Sequence, residues 1–252
     1  MARGRRGISV IVIASLTLIA LIVAYFIVDF RLRAYAEDRV EKEIASNLPD
    51  TVTGDVAVSI GGVSVIAQYL LGSFDRVELK GPGLVVNGVP ASVQVVATDV
   101  PVDRSKPVGA VRAAVDLSQK SLNALLKAAG TAGDAEFQLG DGDVSYAGTY
   151  PVLGVALDYT AIATPKATAD RIVFSPTSAK VTTDAGALDV SGIVKLILSK
   201  KPITVCVAQY VPEGVDLTGV NVTRERARLT LASNTLMLSK QSLTTLGSCS
   251  AG

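Results

Sequence analysis

The 252 residues predict an α+β protein: an N-terminal transmembrane helix, then one domain of antiparallel strands with a few helices. Three observations carry this expectation. Residues 8–28 hold no charge. Apolar residues then recur at every fourth position to residue 48. Beyond Pro49 they alternate with period two, broken by turn signals. The expected organisation is a cytoplasmic tip and signal-anchor helix over 1–29, an extracytoplasmic domain over 30–240, and a C-terminal tail over 241–252.

The chain opens MARGRRG, with Arg3, Arg5 and Arg6, and runs uncharged from Ile8 to Val28. As a helix that run spans about 31 Å, enough for a bilayer core of about 30 Å. A cleaved signal peptide has an apolar region of about 7–15 residues with a small-x-small triplet just after it. Here the nearby triplet, Ala34-Tyr35-Ala36, lies beyond Asp29, Arg31 and Arg33. An uncleaved anchor is therefore favoured over a cleaved signal. The leading arginines favour a cytoplasmic N-terminus with the main domain outside, although Arg31, Arg33 and Arg39 weaken the asymmetry.

The next segment, DFRLRAYAEDRVEKEIASNL, spaces Leu32, Ala36, Val40, Ile44 and Leu48 four apart, a narrow apolar helix stripe. Glu37, Asp38, Arg39, Glu41 and Lys42 cover the other faces and are expected to be solvated. With no Gly/Ser/Pro spacer, the outer domain should sit close to the membrane.

Strands follow. GDVAVSI sets Val56, Val58 and Ile60 on one face, and DRVELKG is another strand. GLVVNGVPASVQVVA carries Asn87-Gly88, a two-residue hairpin signal, and GAVRAAVDLS aligns Val111, Ala113 and Val115. SQKSLNALLKAAG reads as a helix: Ser118 or Ser121 caps it, Leu122, Leu125, Leu126 and Ala129 face inward, and Gly130 ends it. EFQLGDGDVSYAG, VLGVALDYTAIAT, DRIVFSPTSAKV, a short helical SGIVKLILSK, ITVCVAQYV, VDLTGVNVT and ARLTLAS complete the pattern. These strands are rich in small aliphatic residues, with aromatics at only 5%. Such sheets either pack as a plain core or leave room for an apolar ligand.

The chemistry excludes several classes. Histidine is absent, so Ser-His and Cys-His pairs and the commonest zinc ligand are missing. A net charge of +1 gives no basic footprint for nucleic acid. There is no nucleophile elbow, Ser-x-x-Lys, phosphate loop or dinucleotide fingerprint. Asp141 and Asp143 in GDGD fit a tight turn better than a calcium site. Asn221-Val222-Thr223 fits a glycosylation sequon but lies in a strand pattern, and Arg224, Arg226 and Arg228 read as a charged hairpin tip. Cys206 and Cys249 are expected to form a disulfide outside the cytoplasm, worth roughly 4 kcal/mol in the chain-entropy model. The alternative is a buried Cys206 and a free Cys249. No catalytic residue, metal set or cofactor is expected, and an enzyme is not. Two classes survive: a membrane-anchored lipid-binding module, and a structural or protein-interaction module of the cell envelope.

One stretch separates them. In IGGVSVIAQYLLGSFDRVELKG, residues 60–81, the greasy core VSVIAQYLLG is too short to cross a membrane. Together with AEDRVEKEIASNL before it, this run resembles the N-terminal pattern of the LmeA-like phospholipid-binding family of actinobacterial cell envelopes. Gly62, Ile66, Gln68, Gly72 and Val77 fall at matching places, and LSQKSLNALL and VPEGVDLTGVNVTRERARLTL are similar to later family segments. Where the family usually has Phe-Pro-Phe, this chain has Val63-Ser64-Val65. The resemblance covers roughly residues 30–235. It implies a tubular lipid-binding-like fold, a long curved antiparallel sheet wrapped around a few helices with an apolar groove. A two-sheet β-sandwich is the alternative.

It also implies a phospholipid partner, the phosphatidylinositol type among the options, and a membrane beside it. On this expectation VSVIAQYLLG covers one end of the groove; the alternative is that it simply plugs the core. Val63, Val65, Ile66, Tyr69, Leu70 and Leu71 line the lipid site, and Arg76 or Lys80 meets a headgroup phosphate.

Overall fold

The computed structural model describes residues 3–48, 51–86, 88–128, 136–152, 155–182 and 203–249. Helix α1 runs unbroken over Arg3–Asn47, about 68 Å at 1.5 Å per residue. Every side chain from Val12 to Val28 is exposed, and Asp29 is the first buried one. Among the described residues this is the one helix long and apolar enough to cross a membrane.

The remaining elements, in order, are β1 (Val52–Thr53), β2 (Ala57–Ile60), α2 (Val65–Leu71), β3 (Ser73–Val86), β4 (Val89–Pro101), β5 (Ala110–Ser118) and α3 (Gln119–Ala128). Then come β6 (Glu136–Leu139), β7 (Val144–Val152), β8 (Val155–Ala167), β9 (Arg171–Thr182), β10 (Ile203–Cys206), β11 (Asp216–Val222), β12 (Arg226–Ser233) and α4 (Lys240–Thr244). The segment SGIVKLILSK and the positions Asn87, Ala129 and Gly130 lie outside the described residues.

Local chemistry accounts for the boundaries. Val86 pairs with Val89 across the β3–β4 hairpin, and Gly88 supplies the positive φ of 78° that its turn requires. DRVELKG and GLVV join into the single strand β3, because a register shift between Gly81 and Leu84 absorbs the irregularity around Pro82. At α3 the cap is Ser118, whose Oγ accepts from the Ser121 N–H at 3.1 Å. GDGD forms the tight β6–β7 turn, with Gly140 N–H donating to the Asp143 carbonyl at 2.9 Å.

Two antiparallel sheets result. The first has seven strands in the order β1-β3-β4-β5-β12-β11, with β2 also paired to β3, and it curls into a half-barrel. The second has five, β10-β9-β8-β7-β6. The main core joins them: Phe137, Leu139, Val144, Ala163, Ile172 and Phe174 of the second sheet meet Leu217, Val222, Ala227 and Leu231 of the first. Cys206 and Cys249 form a disulfide with Cα atoms 6.0 Å apart, tying β10 to the chain's end.

One expectation needs correction. Glu37 and Glu41 are half-buried rather than solvated. Glu37 Oε1 accepts from the Ile60 N–H and Glu41 Oε1 from the Val58 N–H, each at 2.7 Å. The fit is geometric. Residues i and i+4 of a helix rise about 6 Å, close to the 6.7 Å or so between alternate outward amides of a strand. Two carboxylates of α1 therefore close the open edge of β2, and the helix becomes part of the domain rather than a tether.

Candidate functional site

The register of the first sheet gathers its aliphatic residues on one face. Val77 pairs with Ala97, Leu79 with Val95 and Gly81 with Val93. Val95 pairs with Ala113 and Val93 with Val115. Ala113 then pairs with Leu231 and Val115 with Leu229. Directly paired residues share a face, so the pattern of period two in each strand makes one continuous apolar surface across β3, β4, β5 and β12. Alternate positions put Glu78, Lys80, Gln94, Arg112, Asp116 and Arg228 on the other face. There Arg228 donates twice to Asp116, at 2.8 and 2.7 Å. That hydrogen-bonded guanidinium holds the Asp116 carboxyl below its usual pKa, against the upward push of burial.

The apolar face is covered unevenly. Toward β11 and β12 it is sealed by the second sheet, where Leu217, Val222, Ala227 and Leu231 are buried. Ala113, Val115 and Leu229 are half-buried beside that core, Val77, Val95 and Ala97 are half-buried against Val100, Val108, Val111 and Leu236, and Leu79 and Val93 are half-buried as well. An aliphatic surface left partly open inside a curled sheet is suited to hydrocarbon. A pocket of about 310 Å³ lies elsewhere, near the disulfide, where Asp170, Glu213 and Asp216 are mixed with Ala208, Val215 and Leu246.

The greasy stretch singled out in the sequence is α2, seven residues against α1. Ser64 caps it, its Oγ accepting from the Ala67 N–H at 3.1 Å. Gly72, at φ 85°, ends it in the left-handed conformation. Three groups of α1 hold it. Asp29 Oδ1 accepts from Ser64 Oγ at 2.7 Å and from the Ile66 N–H at 2.9 Å. Tyr25 Oη lies 2.6 Å from Ser64 Oγ. Arg33 donates to the Gly62 carbonyl at 2.8 Å.

The expected site residues fall into three places. Val63, Tyr69, Leu70 and Leu71 are 81, 61, 79 and 85% exposed, an apolar surface around the entry and the last turn of α2. Val65 is buried and Ile66 half-buried, on the inner side of α2. Arg76 and Lys80 lie on the polar face of β3, where both pair with Glu78, at 2.6 and 3.3 Å. The structure thus joins α2 to the middle of α1, at Tyr25, Asp29 and Arg33, and sets the two cations across the sheet from the half-open face.

Sequence reasoning missed Tyr25, Asp29 and Ser64 as a docking set. The available signal was Asp29 itself, a carboxylate directly after an uncharged run. It also missed the face across β3, β4 and β12, although each strand alternates visibly.

The curled antiparallel sheet with a few helices is the α+β architecture that the sequence predicts. A family model described as LmeA-like phospholipid-binding matches residues 27–232, and the chain belongs to this family. No curated protein and no solved structure matches the chain.

Proposed function

We propose that this is a membrane-anchored, extracytoplasmic, non-catalytic phospholipid-binding protein that holds acyl chains on the half-open face of the first sheet. Its place is in assembling envelope lipids or lipoglycans. The observation that carries this reading is the aliphatic surface across β3, β4, β5 and β12, half-buried at Val77, Leu79, Val93, Val95, Ala97, Ala113, Val115 and Leu229. Membership of a phospholipid-binding family supplies the ligand class.

The energetics fit. Withdrawing a 16-carbon chain from a bilayer exposes about 12 kcal/mol of hydrocarbon at about 0.8 kcal/mol per CH₂. A carrier must offset most of this with a continuous apolar lining, and it must work beside the membrane. Helix α1 supplies the second condition. Its exposed run Val12–Val28 is the anchor, and Arg3, Arg5 and Arg6 favour a cytoplasmic start.

Native mass spectrometry of the full chain in detergent, with extraction of bound lipid, tests the proposal. One phospholipid per chain is expected, beyond what accompanies α1. Val95→Asp should remove it while far-UV circular dichroism stays unchanged. A protein that carries none and takes up no added phospholipid sinks the proposal.

A further inference from the structure

Helix α2 is amphipathic in the wrong sense for a surface helix in water. A helix on a soluble domain turns its leucines inward and its amides outward. Here Gln68 is 5% exposed, whereas Leu70 and Leu71 are among the most exposed side chains of the domain. Gln68 is held inside by full use of its amide. Nε2 donates to the carbonyls of Gly61 and Ser64, each at 3.0 Å, and Oε1 accepts from the Asp75 N–H at 2.7 Å. The inversion is therefore fixed by the fold.

The level of the helix is fixed as well. Its first turn bonds to Asp29, one residue past the uncharged run of α1, and its cap bonds to Tyr25 within that run. The exposed apolar side chains of α2 are thereby tied to a stretch of α1 whose Ile22, Val23, Phe26, Ile27 and Phe30 are exposed as well. Just beyond Asp29 on α1 follow Arg31, Arg33 and the exposed Tyr35, cations and an aromatic of the kind found at a headgroup boundary.

We propose that α2 is a membrane wedge: Val63, Tyr69, Leu70 and Leu71 insert into the headgroup–acyl boundary of the leaflet from which α1 emerges. The occupant of this patch is the bilayer itself rather than a bound lipid or a second chain. Asp29 serves as the latch. Its carboxylate is buried by α2, and α2 is set at membrane depth by Asp29. The wedge fixes one edge of the domain in the lipid from which the half-open face would be loaded. It rests on the reading that α1 spans the bilayer.

The test uses the full chain in vesicles of phosphatidylcholine and phosphatidylglycerol. An environment-sensitive fluorophore is placed at Leu71→Cys, Leu21→Cys or Gln94→Cys, and quenching by lipids brominated at shallow or deep positions is measured. Cys206 and Cys249 are disulfide-bonded, so each variant offers a single thiol. Leu21 lies in the anchor and Gln94 on the polar face of β4, and all three side chains are exposed, so the substitutions leave packing intact. The wedge requires deep quenching at Leu21, shallow quenching at Leu71 several-fold stronger than at Gln94, and blue-shifted emission at Leu71. Quenching at Leu21 with none at Leu71, or equal quenching at Leu71 and Gln94, overturns the wedge and leaves the anchor standing. No quenching at Leu21 overturns the anchor reading and the wedge with it.

Discussion

The two ends of the first sheet's apolar face have nearly the same composition and opposite fates. At the β11–β12 end, Leu217, Val222, Ala227 and Leu231 are buried against Phe137, Ile172 and Phe174 of the second sheet. At the β3–β4 end, Val77, Val95 and Ala97 pack against a smaller buried cluster, Val100, Val108, Val111 and Leu236, and with Leu79 and Val93 they remain half-buried. One aliphatic surface thus serves as core at one end and as an open face at the other. The difference lies in what covers it, not in its own residues. Burial stabilises the first end, and incomplete burial leaves the second end with apolar surface still in contact with water.

The sharpest way to break this comparison is to truncate one residue at each end. Leu231→Ala leaves a cavity between two sheets that cannot collapse freely, and should cost about 3 kcal/mol. Val95→Ala removes less side chain from a surface that is already half open, and should cost under about 1 kcal/mol. Urea unfolding of the full chain in detergent checks both. Equal losses would mean that the β3–β4 end is ordinary core.

Much of this architecture was legible in the sequence, and the reasons for the limits are physical. Alternation in VAVSI, VQVV and AVRAAV marks strands, and the hairpin at Gly88 and the cap at Ser118 follow from residue type alone. The unusual character of VSVIAQYLLG was visible too. Which way its leucines point was not, because period and composition are the same whether a helix faces a core or a bilayer. The open and covered ends of the sheet were indistinguishable for a similar reason. Coverage depends on β6–β10, which are remote in sequence. The partners of Glu37 and Glu41 were hidden because spacing on one helix says nothing of the strand beside it.

Those carboxylates provide the next test, since they fasten the β2–β3 edge to α1. Glu37→Ala combined with Glu41→Ala strips the acceptors from the Ile60 and Val58 amides. Hydrogen bonds to charged groups contribute about 1.5–3 kcal/mol each. Half-burial and a residual water shell reduce that, and about 2 kcal/mol for the pair is expected. Amide hydrogen exchange should accelerate at Val58 and Ile60 while Leu217 and Leu231 stay protected. Loss of protection at both ends together would show that α1 supports the whole domain rather than one edge.

The smallest effect should come from the polar face, and it depends on pH. Asp116 on β5 and Arg228 on β12 pair behind the apolar face, midway between its two ends. The hydrogen-bonded Arg228 lowers the Asp116 pKa relative to the unfolded chain. A carboxyl with a depressed folded pKa contributes stability that is present above its unfolded value of about 3.9 and is lost as pH falls through the lower folded value. Asp116→Asn should therefore cost about 1 kcal/mol at neutral pH, discounted for the partly exposed Arg228. It should cost progressively less as pH falls below about 4. Thermal unfolding of both proteins across that range is the check, and the two melting curves should converge in acid. A gap that stays constant would assign the loss to packing at β5–β12 rather than to charge. The seam between the covered and open ends would then be held by shape alone.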